Sequence, residues 1–209
     1  MKNLYFLFVA LLVVSCSSTR MVDSWKNDAY TNFKPKRVLV VGITDHLTAR
    51  KIFEKQLKEA LQTKHIDAVE SYNVFDSGFL NSKQSRADIE KAVKSFSDNG
   101  YDAVLISAVK GMDEKTTYSG DTFYRNYYWR RFGRYYYLYQ DVYFVEGYYN
   151  KYKIYNVEAS LFDLKSDRDK TLVWVASYKI VDPQKIETSV HEYVAAIIQA
   201  LENENLIDH

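Results

Sequence analysis

The sequence predicts an α/β fold: a single domain with a mixed sheet in the order β-α-β-α-β-β-β-α, helices packed on it and a tyrosine-rich hairpin or flap. Three observations lead there. Arg37–Ile43 (RVLVVGI) and Asp102–Lys110 (DAVLISAVK) are short, continuous, valine-rich apolar runs, as expected of strands covered on both faces. Between them, apolar residues recur at helical spacing. Near the end, two segments of period-two alternation precede an amphipathic stretch.

The elements follow in order. Ser17–Lys36 is polar and irregular, with one short strand at Met21–Trp25, and Trp25, Tyr30 and Phe33 are expected to tuck onto the domain. Pro35 punctuates the entry to the first buried strand. Thr44 or Asp45 is expected to cap a helix running to about Thr63, with Ala49, Phe53, Leu57, Ala60 and Leu61 on one face. Ile66–Ser71 reads as a second strand, making a β-α-β unit with parallel strands. A loop from Asn73 to Gln84 leads to Ser85-Arg86-Ala87-Asp88, a capping box with Asp in place of Glu. The helix behind it buries Ile89, Val93 and Phe96 and stops at Gly100. After the third strand, Gly111–Thr117 is read as a loop.

Tyr118–Tyr155 is the unusual segment, holding 13 of the 19 tyrosines. Tyrosine favours strands, so the segment reads as extended rather than helical. Beyond it, Tyr155, Val157, Ala159 and Leu161 alternate with Asn156, Glu158 and Ser160, a strand buried on one face. Lys165–Lys170 is a charged turn, and Leu172–Tyr178 alternates again, completing an antiparallel hairpin. Asp182-Pro183 is expected to open the last helix, with Ile186, Val190, Tyr193, Val194, Ile197 and Leu201 as its buried stripe. The tail Asn203–His209 is expected to fray.

Composition narrows the function classes. The 209 residues are 47% hydrophobic and 26% charged, with a net charge of +1, so nothing argues for a nucleic-acid or strongly acidic partner. Seven glycines and two prolines favour regular structure. Cys16 is the sole cysteine, which leaves no internal disulfide or redox pair.

The N-terminus is the most specific signal. Lys2 precedes an unbroken apolar run from Leu4 to Val14, then Ser15 and Cys16. This is the layout of a secretory signal, and the run is shorter than the about 20 residues that span a bilayer. Val13-Val14-Ser15-Cys16 resembles the bacterial lipobox. That resemblance implies cleavage before Cys16 and a diacylglycerol on its thiol, with two or three chains holding the protein firmly. It divides the chain into a signal peptide (1–15), a tether (16–36) and one α/β domain (37–209) with the tyrosine-rich insertion at 118–155. Ser17 stands where Asp would retain such a protein in the inner membrane, so the expected location is the outer membrane, facing the periplasm. In its leader, the Arg37–Ile43 strand and helix, the Tyr101–Ser107 strand and the closing hairpin and helix, the chain resembles small envelope lipoproteins. These include the penicillin-binding-protein activators and the amino-terminal domain of the Tol-system propeller protein. The resemblance implies binding of envelope components rather than catalysis.

Little in the sequence speaks for chemistry. His46, His65, His191 and His209 show no ligand spacing, so no metal and no cofactor are expected. There is no G-x-G-x-x-G, P-loop or G-x-S-x-G pattern. Thr44, Asp45, His46 and Glu114 sit at strand ends, where α/β folds place ligands, though Thr44 and Asp45 read first as helix caps. The candidate binding surface is Tyr127, Tyr128, Trp129, Arg130, Arg131, Arg134 and Tyr136, where broad rings and guanidinium groups suit a protein or glycan partner. Three functions are therefore weighed: a lipid-anchored binding or scaffolding module, a periplasmic hydrolase or sugar-processing enzyme, and a self-assembling structural component of the envelope.

Overall fold

The computed structural model describes residues 17–76, 78–79, 82–114, 153–166, 171–181, 183 and 185–208. Six strands form one mixed sheet, β1 (Thr19–Lys26), β2 (Arg37–Ile43), β3 (Asp67–Glu70), β4 (Ala103–Glu114), β5 (Lys153–Asp163) and β6 (Leu172–Val181), in the order β1-β6-β5-β4-β2-β3. Strand β2 is parallel to both β3 and β4, and the remaining pairs are antiparallel. Helices α1 (Leu47–Thr63), α2 (Arg86–Asp98) and α3 (Ile186–Asn203) pack on this sheet, giving the expected α/β class.

Side-chain alternation on the sheet sorts the core into two halves. Val38, Val40, Ala103, Leu105, Val157, Ala159 and Leu161 meet Phe53, Leu57 and Leu61 of α1 and Tyr193, Val194, Ile197 and Leu201 of α3. Leu39, Val41, Val104, Ile106 and Ala108 turn the other way, onto Ile89 and Phe96 of α2. Covered on both faces, β2 keeps six of its seven residues buried, which is why it reads as an unbroken apolar run.

The three helices end alike. In each, the residue after the C-cap is left-handed: His65 (φ 60), Gly100 (φ 86) and Asn205 (φ 54). The next amide, of Ile66, Tyr101 or Leu206, then donates back to the carbonyl of Leu61, Phe96 or Leu201. This closes the helix end and turns an apolar residue inward. Gly100 was expected in this role, whereas His65 and Asn205 adopt the conformation without a glycine's freedom.

Several boundaries differ from expectation. The capping residue of α1 is His46, with no side-chain cap, instead of Thr44 or Asp45; the Thr44 hydroxyl is turned to accept from the His46 amide at 3.2 Å. Strand β4 continues through Gly111–Glu114, because after a register shift at Val109/Gly111 it keeps pairing with Lys153–Asn156. The second face of β5 is not solvated: Glu158 (1% exposed) and Ser160 (0%) are buried, and Glu158 meets Lys110 at 3.2 Å. Helix α3 starts at Ile186 rather than at Pro183, since Lys185 is still extended (φ −134, ψ 124). The tail does not fray, because the turn at Asn205 buries Leu206 and Ile207 in the core. The Ser85 cap holds, its hydroxyl accepting from the Asp88 amide at 3.2 Å. Tyr30 is buried and Phe33 packs beside it, edge to face at 5.6 Å.

Candidate functional site

Because β2 and β4 run in parallel, both finish at one end of the sheet. Strand β6 ends there too, and β1 and β5 begin there. Chains leaving β2 and β6 there start α1 and α3, which lie side by side on one face. Between the two helix starts and the strand ends is a cavity of about 190 Å³. Its walls are Ile43, Ala49 and Phe53 on one side and Ile186, Val190 and Tyr193 on the other, with Val157 and Ile180 from the sheet. Thr44, Asp45 and His46 stand at its rim with Pro183.

The floor is polar and internally bonded: Ser107 Oγ and the Tyr193 hydroxyl are 2.9 Å apart and buried. Two rings hold the Tyr193 side chain, Phe53 stacked at 5.7 Å and Tyr178 edge-on at 5.1 Å. Gly42 allows α1 to approach this closely, for a Cβ there would meet Phe53 at 3.2 Å and the Arg50 stem at 3.3 Å. Arg50 itself reaches over to the Thr44 carbonyl at 2.9 Å.

Directly behind the cleft lies a buried carboxylate with no sequence signature. Glu54 Oε1 accepts from the Gly42 amide at 2.9 Å and from the Ser71 hydroxyl at 2.7 Å, and Oε2 faces the Tyr72 amide at 3.4 Å. Burial pushes its pKa up to about 7, against the lowering effect of those donors and of Arg50. The side chain ties α1 to β2 and to the turn after β3.

The cleft gathers the polar residues noted in the sequence, but loosely. Asp45 and His46 are exposed at the rim, and the Thr44 hydroxyl donates to Asp45 Oδ1 at a long 3.4 Å. Glu114 ends β4 at the same end. His65 terminates α1, and His191 is exposed on α3. Among the described residues, no group of three or more His, Cys, Asp or Glu is placed to hold a metal ion. Cys16 and the candidate surface Tyr127, Tyr128, Trp129, Arg130, Arg131, Arg134 and Tyr136 lie outside the described residues.

A second feature was invisible in the sequence. Ser18 donates to Glu192 Oε2 from both its amide (2.6 Å) and its hydroxyl (2.7 Å), and Ser17 Oγ joins them at 3.1 Å. The Ser18 carbonyl accepts from the Val181 amide at 2.9 Å. The bonds from Ser18 hold the Glu192 carboxyl below its ordinary range. Residues immediately after Cys16 are thus latched to α3 and β6, at the end of the sheet that carries the cleft.

Fold and site together define a single-sheet α/β protein with an apolar cleft at the carboxyl ends of its parallel strands. Among the described residues, no helix is long and apolar enough to cross a membrane. No protein-family model matches the chain, and no curated protein matches it. Among solved structures it is similar to a PelC dodecamer from Paraburkholderia phytofirmans, at 12% identity and a TM-score of 0.42 over 91% of this chain and 98% of that one. It is also similar to lipoprotein GNA1162 from Neisseria meningitidis, at 15% identity and a TM-score of 0.42 over 81% of this chain and 99% of that one.

Proposed function

We propose that this chain is a lipid-anchored protein of a bacterial envelope, held through Cys16, whose folded domain binds a partner rather than catalysing a reaction. The expected address is the outer membrane, facing the periplasm. The apolar cleft carries the binding reading. Its volume of about 190 Å³ is below the roughly 300–1,000 Å³ of pockets that enclose a whole small molecule. It suits one apolar group offered by a neighbour, and its floor hydroxyls are bonded to each other. The tyrosine-rich segment joins β4 and β5 between Glu114 and Lys153, which pair at this same end of the sheet. Its rings and arginines are suited to extending the contact to a protein or glycan partner.

A photo-crosslinking residue in place of Ala49, on the cleft wall, tests the reading in intact cells. One at Glu59, on the exposed side of α1, serves as control. The expected result is a discrete adduct from position 49, none from 59, and loss of the adduct when Val190→Trp fills the cleft. Equal labelling from both positions, or an adduct unaffected by the tryptophan, refutes cleft binding.

A further inference from the structure

We propose that the cleft-bearing end of the domain faces the phospholipid surface of the membrane that holds its anchor, so that the partner filling the cleft offers its apolar group from that same membrane. The inference rests on the lipidation of Cys16 and adds to it an orientation and a contact surface.

Two independent observations converge on this end. The first is the distribution of exposed apolar side chains. Among the described residues, the large hydrophobic side chains left exposed are Met21 (45%), Val22 (42%), Leu47 (53%), Val181 (43%) and Ile186 (38%). They are scattered through the sequence, yet the topology collects them. Leu47 opens α1, Ile186 opens α3, Val181 closes β6, and Met21 and Val22 lie near the start of β1. The opposite end of the sheet is polar, with ion pairs between Lys34 and Asp208, Arg37 and Asp67, and Lys64 and Glu202. An apolar group at one pole and charge pairs at the other is the asymmetry of a protein that rests on a hydrocarbon boundary.

The second is the position of the anchor. A free tether would let the domain tumble above the bilayer. Here the first described residues after Cys16 are already fixed to the fold, Ser17 and Ser18 being bonded to Glu192 and Val181. Acyl chains on Cys16 therefore pull this end, and no other, down to the headgroups. The described charged side chains nearby include Arg20 and Lys185 and, against them, Asp45, Asp113, Glu187 and Glu192. These leave no basic surplus to draw the domain to anionic lipid, so the contact is made by apolar side chains and is insensitive to salt.

The test uses the full chain, expressed with its leader and purified in its lipidated form. Cys16 is the only native cysteine, so Leu47→Cys, Val181→Cys, Ile186→Cys and, at the far end of α1, Thr63→Cys each add a single labelling site for an environment-sensitive dye. The proteins are placed in vesicles of phosphatidylethanolamine and phosphatidylglycerol containing brominated lipid. The expected result is quenching at 47, 181 and 186 at least about twofold stronger than at 63, unchanged at high salt. Protein that floats with the vesicles while all four labels are equally unquenched overturns the orientation and leaves the anchor standing. Protein without added cysteine that takes up dye at Cys16 and fails to float overturns the anchor, and the orientation with it. Quenching abolished by salt replaces the apolar contact with an electrostatic one and also overturns the proposal.

Discussion

Glu54→Gln offers a test of how the cleft is supported. The carboxyl is fully buried, and burial raises its pKa from 4.5 to about 7. Below about pH 4.5 it is protonated in both folded and unfolded chains and has no effect on stability. Between 4.5 and about 7 the unfolded chain releases the proton while the folded chain keeps it, so stability falls as pH rises. Above about 7 the penalty is constant. Each pH unit in that window is worth about 1.4 kcal/mol, so ionising Glu54 inside the fold costs roughly 3 kcal/mol. The glutamine keeps an oxygen for the Gly42 amide and the Ser71 hydroxyl, although its amide group faces the Tyr72 amide less well. Thermal unfolding of both proteins from pH 4 to 8 isolates the contribution, since every other titrating group is shared. The variant is expected to gain on the wild type steadily between 4.5 and 7. At about 2–4 °C per kcal/mol, the accumulated gain is roughly 6–12 °C in Tm. Parallel curves would show that Glu54 carries its charge at no cost, and the account of a dry, helix-clamping carboxylate would be abandoned.

Other consequences can be measured directly. Leu206→Ala empties a fully buried site under the turned-back tail and should cost about 2–5 kcal/mol, read by urea denaturation; an effect under about 0.5 kcal/mol would mean the tail is not part of the core. Glu192→Ala removes the acceptor of the Ser17–Ser18 latch and should cost about 1–2 kcal/mol, with faster proteolysis in β1. The low pKa of Glu192 gives the latch a pH sign: its contribution is present above the ordinary carboxylate range and is lost as pH falls. Replacing Tyr127, Trp129 and Arg130 together with alanine should abolish partner capture in cells while Tm stays within a few degrees. A collapse of Tm would assign those side chains to the core instead.

What the sequence determined by itself was local or periodic. Arg37–Ile43 and Asp102–Lys110 announced buried strands because both sheet faces bear helices. Ser85 and Gly100 bracketed α2 because a cap and a left-handed turn each have a residue type that serves them best. The lipobox-like pattern at Cys16 is likewise local, spelled within sixteen residues that lie outside the described ones. The tertiary structure decided whatever depends on partners distant in the chain. Glu158 and Ser160 looked like a solvated strand face, since alternation reports polarity and not what lies over it. Asn205 turns the tail inward without a glycine to advertise the turn. The Ser18–Glu192 latch joins residues 174 positions apart, and no local rule pairs a serine near the start of a chain with a carboxylate near its end. For the same reason Leu47, Val181 and Ile186 read as unrelated surface residues until parallel strands and two helix starts brought them to one pole.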